Sequence, residues 1–328
     1  MAAPEPLRYN AGVKRSNGAR AWLVYAAVRV VVGLLRCFPV NWNLRTARLF
    51  AGLWWRMIPR HRQRACAHIR LALGDDLSDT EVARLARQSL EQLAMFAVDF
   101  IFLPHLVTPW TWSRYIRLHN MREGLRPLLN GKGALLLTGH YGNWELAGYL
   151  LALFGFDIAA IMRPLDNAYL NRYVVNNRSR QGLQLLDKSG AMKSARSLLE
   201  RGAALGFIAD QNAGSKGLFV DFFGVQASTY KSIGLLAMSC NVPIIIGYAR
   251  RIGRCFRYEV GVERVIHPHE WADKNDPLRW ITQEYTTAIE ASVRRAPEQY
   301  LWIHRRWKSR PRGETPAGQN CLNPAHVS

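Results

Sequence analysis

Ala134-Leu135-Leu136-Leu137-Thr138-Gly139-His140-Tyr141-Gly142-Asn143-Trp144-Glu145 joins two patterns at a single histidine. The apolar run at its start predicts a buried strand over 133–138, and a helical pattern follows over 144–154. His140 is thus presented at the end of a strand, with a carboxylate five residues later. Glycines on both sides let the backbone turn tightly and let a substrate approach. A neutral imidazole can take a proton from a hydroxyl, and a carboxylate can hold its tautomer and stabilise the imidazolium that forms. On that chemistry Glu145 orients and charge-balances His140. The spacing His-x4-Glu alone fits turn and cap residues equally well.

Outward from this stretch, short apolar runs alternate with helical ones. Further strands are expected at 158–162, 203–208 and 243–248, with a later pair at 256–260 and 262–266. Helices are expected at 169–181, 191–201 and 231–240. A last one should start at Asp276-Pro277, an N-cap followed by proline at the first helical position, and run to about Arg295. Strands separated by helices imply an α/β fold with a mostly parallel central sheet flanked by helices. The region 41–104 reads as helical, and Ser78-Asp79-Thr80-Glu81 has the form of a capping box. The basic face of 60–73 fits either solvent or anionic headgroups.

Four segments follow. Residues 1–20 are polar and expected to be flexible. Residues 21–38 form a hydrophobic, membrane-associating helix, interrupted by Arg29. Residues 39–311 form a single α/β domain with a helical N-terminal part, and 312–328 form a disordered tail. For 21–38 three readings stand: a helix lying in the membrane surface, a single span, and a buried core helix. A spanning helix wants about 20 apolar residues.

Hydrophobic residues make up 49% and charged residues 21% of the 328 residues, which excludes a disordered chain. The formal charge of +20 favours acidic partners: anionic lipid, an acidic carrier protein or nucleic acid. The 11 tryptophans lie partly among arginines, a mixture suited to a membrane interface. No helix-turn-helix, zinc-finger or RNA-binding pattern accompanies the charge. The five cysteines form no CxxC pair and read as reduced thiols, and the histidines show no metal-ligand spacing with them.

Sites in open α/β sheets form beyond the carboxyl ends of the strands. Three polar elements are predicted to meet there: His140 after 133–138, Arg163 after 158–162, and Asp210-Gln211 after 203–208. An arginine can fork onto a phosphate or carboxylate. Arg178 and Arg180 fit a substrate-binding block or a solvent-facing helix end. The Phe219–Gly224 run fits an acyl-chain wall or core. The aromatic and basic run Gln299–Lys308 fits a membrane interface, a phosphate clamp, or buried tryptophans with solvated arginines. His304 lies among arginines that disfavour its protonation.

His-Tyr-Gly-Asn-Trp-Glu resembles the motif of the lipid A late acyltransferases, of lauroyl and myristoyl type, within the His-x4-acid lysophospholipid-acyltransferase-like superfamily. Arg163-Pro164, Arg178 with Arg180, Asp210–Gly214, Phe219–Gly224 and Trp302–Lys308 resemble further blocks of that family, in its order, across roughly residues 20–310. The resemblance implies a glycerolipid-acyltransferase-like fold. It implies acyl transfer from acyl carrier protein or CoA thioester to a hydroxyl of a lipid A precursor. It places this at the inner membrane, on the cytoplasmic face, with no metal and no cofactor. His140 would be the general base, with Glu145 as its catalytic partner, and Arg163, Asp210, Gln211, Arg178 and Arg180 would bind substrate. A lysophospholipid or another glycolipid is the alternative acceptor. A basic membrane-surface or nucleic-acid-binding protein is the non-enzymatic alternative, and its binding would be indifferent to His140→Ala.

Overall fold

The computed structural model describes residues 16–74, 76–187, 191–311 and 313. Four helices come first: α1 (Ala19–Arg36), α2 (Val40–Met57), α3 (Pro59–Leu73) and α4 (Asp79–Leu106). A short α5 (Trp112–Tyr115), β1 (Ile116–His119) and α6 (Met121–Leu129) lead into the alternating part. That part runs β2 (Ala134–Thr138), α7 (Trp144–Leu153), β3 (Ile158–Met162), α8 (Ala168–Arg178), β4 (Gln184–Asp187), α9 (Ala191–Glu200) and β5 (Ala204–Ile208). A hairpin of β6 (Leu218–Phe222) and β7 (Val225–Thr229) follows. The chain continues through α10 (Lys231–Cys240), β8 (Ile244–Arg251), β9 (Tyr258–Ile266), the short α11 (Pro268–Trp271) and α12 (Pro277–Arg295).

Seven strands form one sheet in the order β1-β9-β8-β2-β5-β3-β4. Every neighbouring pair is parallel except β8 with β9. The expected mostly parallel sheet is therefore present. The pair expected at 256–260 and 262–266 is one continuous strand, β9. Its pairing with β8 shifts register between Ile246 and Gly247. A local bulge of this kind bends a strand without ending it.

Side chains alternate across the sheet as a strand requires. Leu135, Leu205, Ile244 and Ile246 enter a core shared with α10 and α12. Ala134, Ala204 and Ile245 share a second cluster on the side of α6 and α7. Ala65 and Ile69 of α3, with Val82 and Ala86 of α4, join the first core, so the N-terminal helices pack onto the α/β part. Ser78 and Glu81 make the reciprocal capping box that starts α4.

α1 starts at Ala19, and the Ser16 N–H donates to the Asp166 carbonyl at 3.0 Å. The flexible ends expected at 1–20 and 312–328 otherwise fall outside the described residues, Gly313 excepted. Trp22, Leu23, Val30, Val31 and Leu34 of α1 point outward, as do Trp42, Leu49, Phe50, Leu53 and Met57 of α2. Among the described helices, α4 alone has the length and apolarity to cross a bilayer. It buries Leu90, Met95 and Leu103 in the protein.

Candidate active site

His140 follows β2 by two residues, and Asp210 follows β5 by two. The strands pair in parallel with Thr138 opposite Ile208, so the two side chains emerge side by side. His140 Nδ1 lies 2.7 Å from Asp210 Oδ1, and the His140 backbone N–H donates to Oδ2 at 2.9 Å. The Asp210 side chain is 1% exposed and that of His140 11%, so the pair is shielded from water. A carboxylate at Nδ1 fixes the tautomer with the proton there and leaves the Nε2 lone pair as the acceptor.

Burial alone lowers the pKa of His140. The Asp210 charge, its hydrogen bond and the nearby Glu145 charge outweigh that and hold it above the ordinary value. Asp210 is pulled upward by burial, yet the neighbouring His140 and its two hydrogen bonds hold the carboxyl well below the usual range. The pair is thus an imidazole of raised basicity on a carboxylate that stays charged.

Backbone hydrogen bonds on either side of His140 fix the loop that carries it. The His140 carbonyl accepts from Leu301 N–H at 3.0 Å, and Gly142 N–H donates to the Gln299 carbonyl at 3.0 Å. Asn143 N–H donates to the Ala249 carbonyl at 2.8 Å. Gly142 has φ +57°, and a Cβ there would fall 2.1 Å from the Ala249 carbonyl oxygen, so glycine is required. Asn143 caps α7, accepting the Leu146 N–H at 3.2 Å. Its Nδ2 donates to Asp99, which is ion-paired with Arg251 in the interior.

Glu145 does not hold His140. It stands in the first turn of α7 and is ion-paired with Arg178 at the end of α8. Strand register places Asp210, and not a residue in the following helix, beside the imidazole. Asp210, expected to bind substrate, lies against the His140 imidazole. Arg178, expected to touch substrate, is ion-paired with Glu145 and also lines the cavity described below. Gln211 Nε2 lies 3.4 Å from His140 Nε2. Arg180 Nη1 lies 3.4 Å from His105 Nε2, on the surface. Arg163 follows β3 and is exposed at the same sheet edge.

The closing block is interior scaffold more than surface. Trp302 and Trp307 are buried, and Arg306 is 1% exposed. Arg306 donates to the Gln211 carbonyl at 3.1 Å, the Ser228 carbonyl at 2.6 Å and Thr229 Oγ1 at 2.6 Å, tying the turn after Asp210 to the hairpin. Phe222 and Phe223 belong to the same core. His304 stacks on His140 at 5.8 Å between ring centroids, and burial holds its pKa below the ordinary value. Trp144 presents its ring edge-on to His140 at 5.1 Å. Sequence motifs carry Trp144 and His304, but only the fold brings their rings onto His140.

Trp144 also lines a large apolar cavity between the sheet and helices α6 and α7. Its empty volume is about 1070 Å³, solvent opening included. Ala160, Gly206 and Gly247 on the sheet and Gly148 on α7 carry little or no side chain there, which is what leaves the space. The ionisable wall residues are Glu145 and Arg178, with Thr138 beside them, on the carboxyl side of the sheet.

The family model for bacterial lipid A biosynthesis acyltransferases matches residues 12–309. The lipid A biosynthesis palmitoleoyltransferase of Escherichia coli (strain K12) is 29% identical over 216 residues, covering 63% of this chain and 67% of the relative. The lauroyltransferase of the same organism is 24% identical over 306 residues, covering 90% and 94%. Its myristoyltransferase is 26% identical over 304 residues, covering 90% of each chain. With the match running from α1 to the closing block, this chain belongs to the bacterial lipid A biosynthesis acyltransferase family, and it is an acyltransferase.

Proposed function

We propose that this chain moves a fatty acyl group from an acyl thioester to a hydroxyl of a lipid A precursor, with His140 as general base. The observation that carries this reading is a buried imidazole, fixed at Nδ1 by Asp210, standing against Trp144 at the ionisable end of an apolar cavity. The cavity is lined almost entirely by apolar side chains, the lining a fatty acyl chain requires. The chain would lie among Leu136, Leu151, Ile158 and Val262. The thioester would then sit near Thr138, Glu145 and Arg178. His140 Nε2 takes the hydroxyl proton and the oxygen attacks the thioester carbonyl.

The donor is acyl carrier protein or CoA, both anionic, and a net charge of +20 attracts either. The outward apolar side chains of α1 and α2, with Arg20, Arg36 and Arg56 on the same helices, support work at an anionic membrane surface. We assign it to the cytoplasmic face of the inner membrane. The test is thioester consumption by purified protein in detergent, offered acyl carrier protein and CoA donors with a lipid A precursor and, separately, with lysophospholipids. His140→Ala should lower turnover by about 10²–10⁴-fold. Turnover on lysophospholipid alone would move the acceptor, and equal turnover in the mutant would remove His140 as base.

A further inference from the structure

We propose that Arg178 is the cation that receives the oxyanion of this acyl transfer, and that Glu145 is the residue that positions it. The proposal rests on the acyl-transfer reading above and extends it. The reaction needs a hydrogen-bond donor where negative charge develops, close to the base and to the acyl cavity. Among the described residues that line the cavity, Arg178 is the only cation. Its side chain is 25% exposed and that of its partner Glu145 is 12% exposed, so the pair sits at a shielded end.

Two further observations point to a ligand there. The Nε of Arg178 is buried and has no hydrogen-bond partner, although the guanidinium is engaged by Glu145 at Nη2. A buried donor without an acceptor is costly in a folded protein and is seldom left so without a reason. Three backbone donors next to the base are already occupied. The N–H groups of His140, Gly142 and Asn143 already bond Asp210, the Gln299 carbonyl and the Ala249 carbonyl. Those three amides are therefore not available to an oxyanion, while Arg178 keeps one donor unspent. Its guanidinium also lies 5.9 Å from the centre of the Phe100 ring, a second contact that restrains it.

The step runs as follows. The acceptor O–H proton passes to His140 Nε2, and the oxygen bonds to the thioester carbonyl carbon. The carbonyl π pair moves onto its oxygen, which Arg178 receives. When that pair returns, the C–S bond breaks, and the thiolate leaves with the proton from His140. Glu145 balances the Arg178 charge before substrate arrives and holds its fork in place. This gives the acid of His-x4-Glu a task distinct from orienting the histidine.

The test separates chemistry from binding by single-turnover rates and donor affinity. Arg178→Ala should slow the chemical step by about 10²–10³-fold, with donor affinity nearly unchanged, and added guanidinium should restore part of that rate. Arg178→Gln, which keeps the size, should show the same loss if the alanine variant folds poorly. Glu145→Ala should slow wild type but cost little more in the Arg178→Ala background, with the melting temperature held, a coupling that a merely structural role would not give. Weakened donor binding with an unchanged chemical step, or no guanidinium effect on folded protein, overturns the proposal and leaves the acyl-transfer reading standing. Absence of turnover on every acceptor by wild type removes both.

Discussion

Asp210 grips His140 at two points, with Oδ1 2.7 Å from the imidazole Nδ1 and Oδ2 accepting the backbone N–H at 2.9 Å. One contact sets the tautomer and the other sets the position of the ring. Asp210→Asn keeps the size and one acceptor but loses the charge and lets the imidazole take the other tautomer. The corresponding change in a Ser-His-Asp triad costs about 10⁴ in kcat. A loss of about 10³–10⁴ is expected here, read as kcat at saturating donor, with the fold intact by circular dichroism. A loss under tenfold would remove Asp210 from the mechanism.

The same pair sets the pH profile. A base works in its neutral form, so activity should rise with pH through the His140 pKa, and that limb should lie above the ordinary 6.5. In Asp210→Asn the upward pull of the charge is gone and burial acts with less opposition, so the limb should move to lower pH even as the maximum rate falls. Stability carries the opposite sign. A raised histidine pKa contributes stability that is fully present below 6.5 and is lost as pH rises through the folded value. Asp210, held below its ordinary 3.8, contributes stability that is present above 3.8 and lost as pH falls further. Rates of kcat/KM against pH for the two proteins check the first claim, and chemical denaturation against pH checks the second.

Much of the frame could be read from the chain, and the errors have physical causes. β2, β3 and β5 are short, nearly uninterrupted apolar runs, because a parallel strand covered on both faces has no polar side. The capping box at Ser78 and the Asp276-Pro277 start of α12 are local chemistry and were legible for that reason. β1 and β4 have four residues each, too few to show a period. The β6–β7 hairpin turns at Phe223 and Gly224, with φ of 58° and 73°. Positive φ at both turn positions usually calls for asparagine or glycine, and a phenylalanine there hides the signal. Phe223 N–H donates to Glu290 at 2.6 Å, a distant contact that helps hold the turn. The contact between His140 and Asp210 is hidden in the sequence for a related reason. Spacing along the chain points to Glu145, whereas pairing across the sheet points to Asp210, and only the second brings atoms together.

The cavity predicts a change in donor preference. Gly206 sits in β5 with room for a Cβ, its nearest neighbours there being the Ala159 carbonyl at 3.6 Å and Ala160 Cβ at 3.9 Å. Gly206→Val should therefore fold and fill part of the cavity. Each methylene that can no longer be buried is worth about 0.8 kcal/mol, close to fourfold. Competition between donors of increasing chain length should show the preferred acyl group shortened in the variant. An unchanged preference would place the acyl chain elsewhere.

Behind the histidine loop, Asp99 and Arg251 form an ion pair whose side chains are 0% and 2% exposed. Asp99 also accepts from Asn143, the cap of α7, while Arg251 reaches the Gln92 side chain at 3.2 Å and the Cys255 carbonyl at 3.1 Å. Removing one partner leaves a buried charge alone, which costs about 3–5 kcal/mol. Arg251→Met should lower the unfolding free energy by that amount and, by loosening the Asn143 cap, lower activity as well. Replacing both residues with apolar ones should recover much of the stability, because the stranded charge is gone. Activity should recover less, since Asn143 then lacks the Asp99 acceptor that helps fix the turn carrying His140. Denaturant titration of the single and double variants, alongside turnover, separates the two effects. Full recovery of both would mean that the pair supports folding alone and has no hold on the catalytic loop.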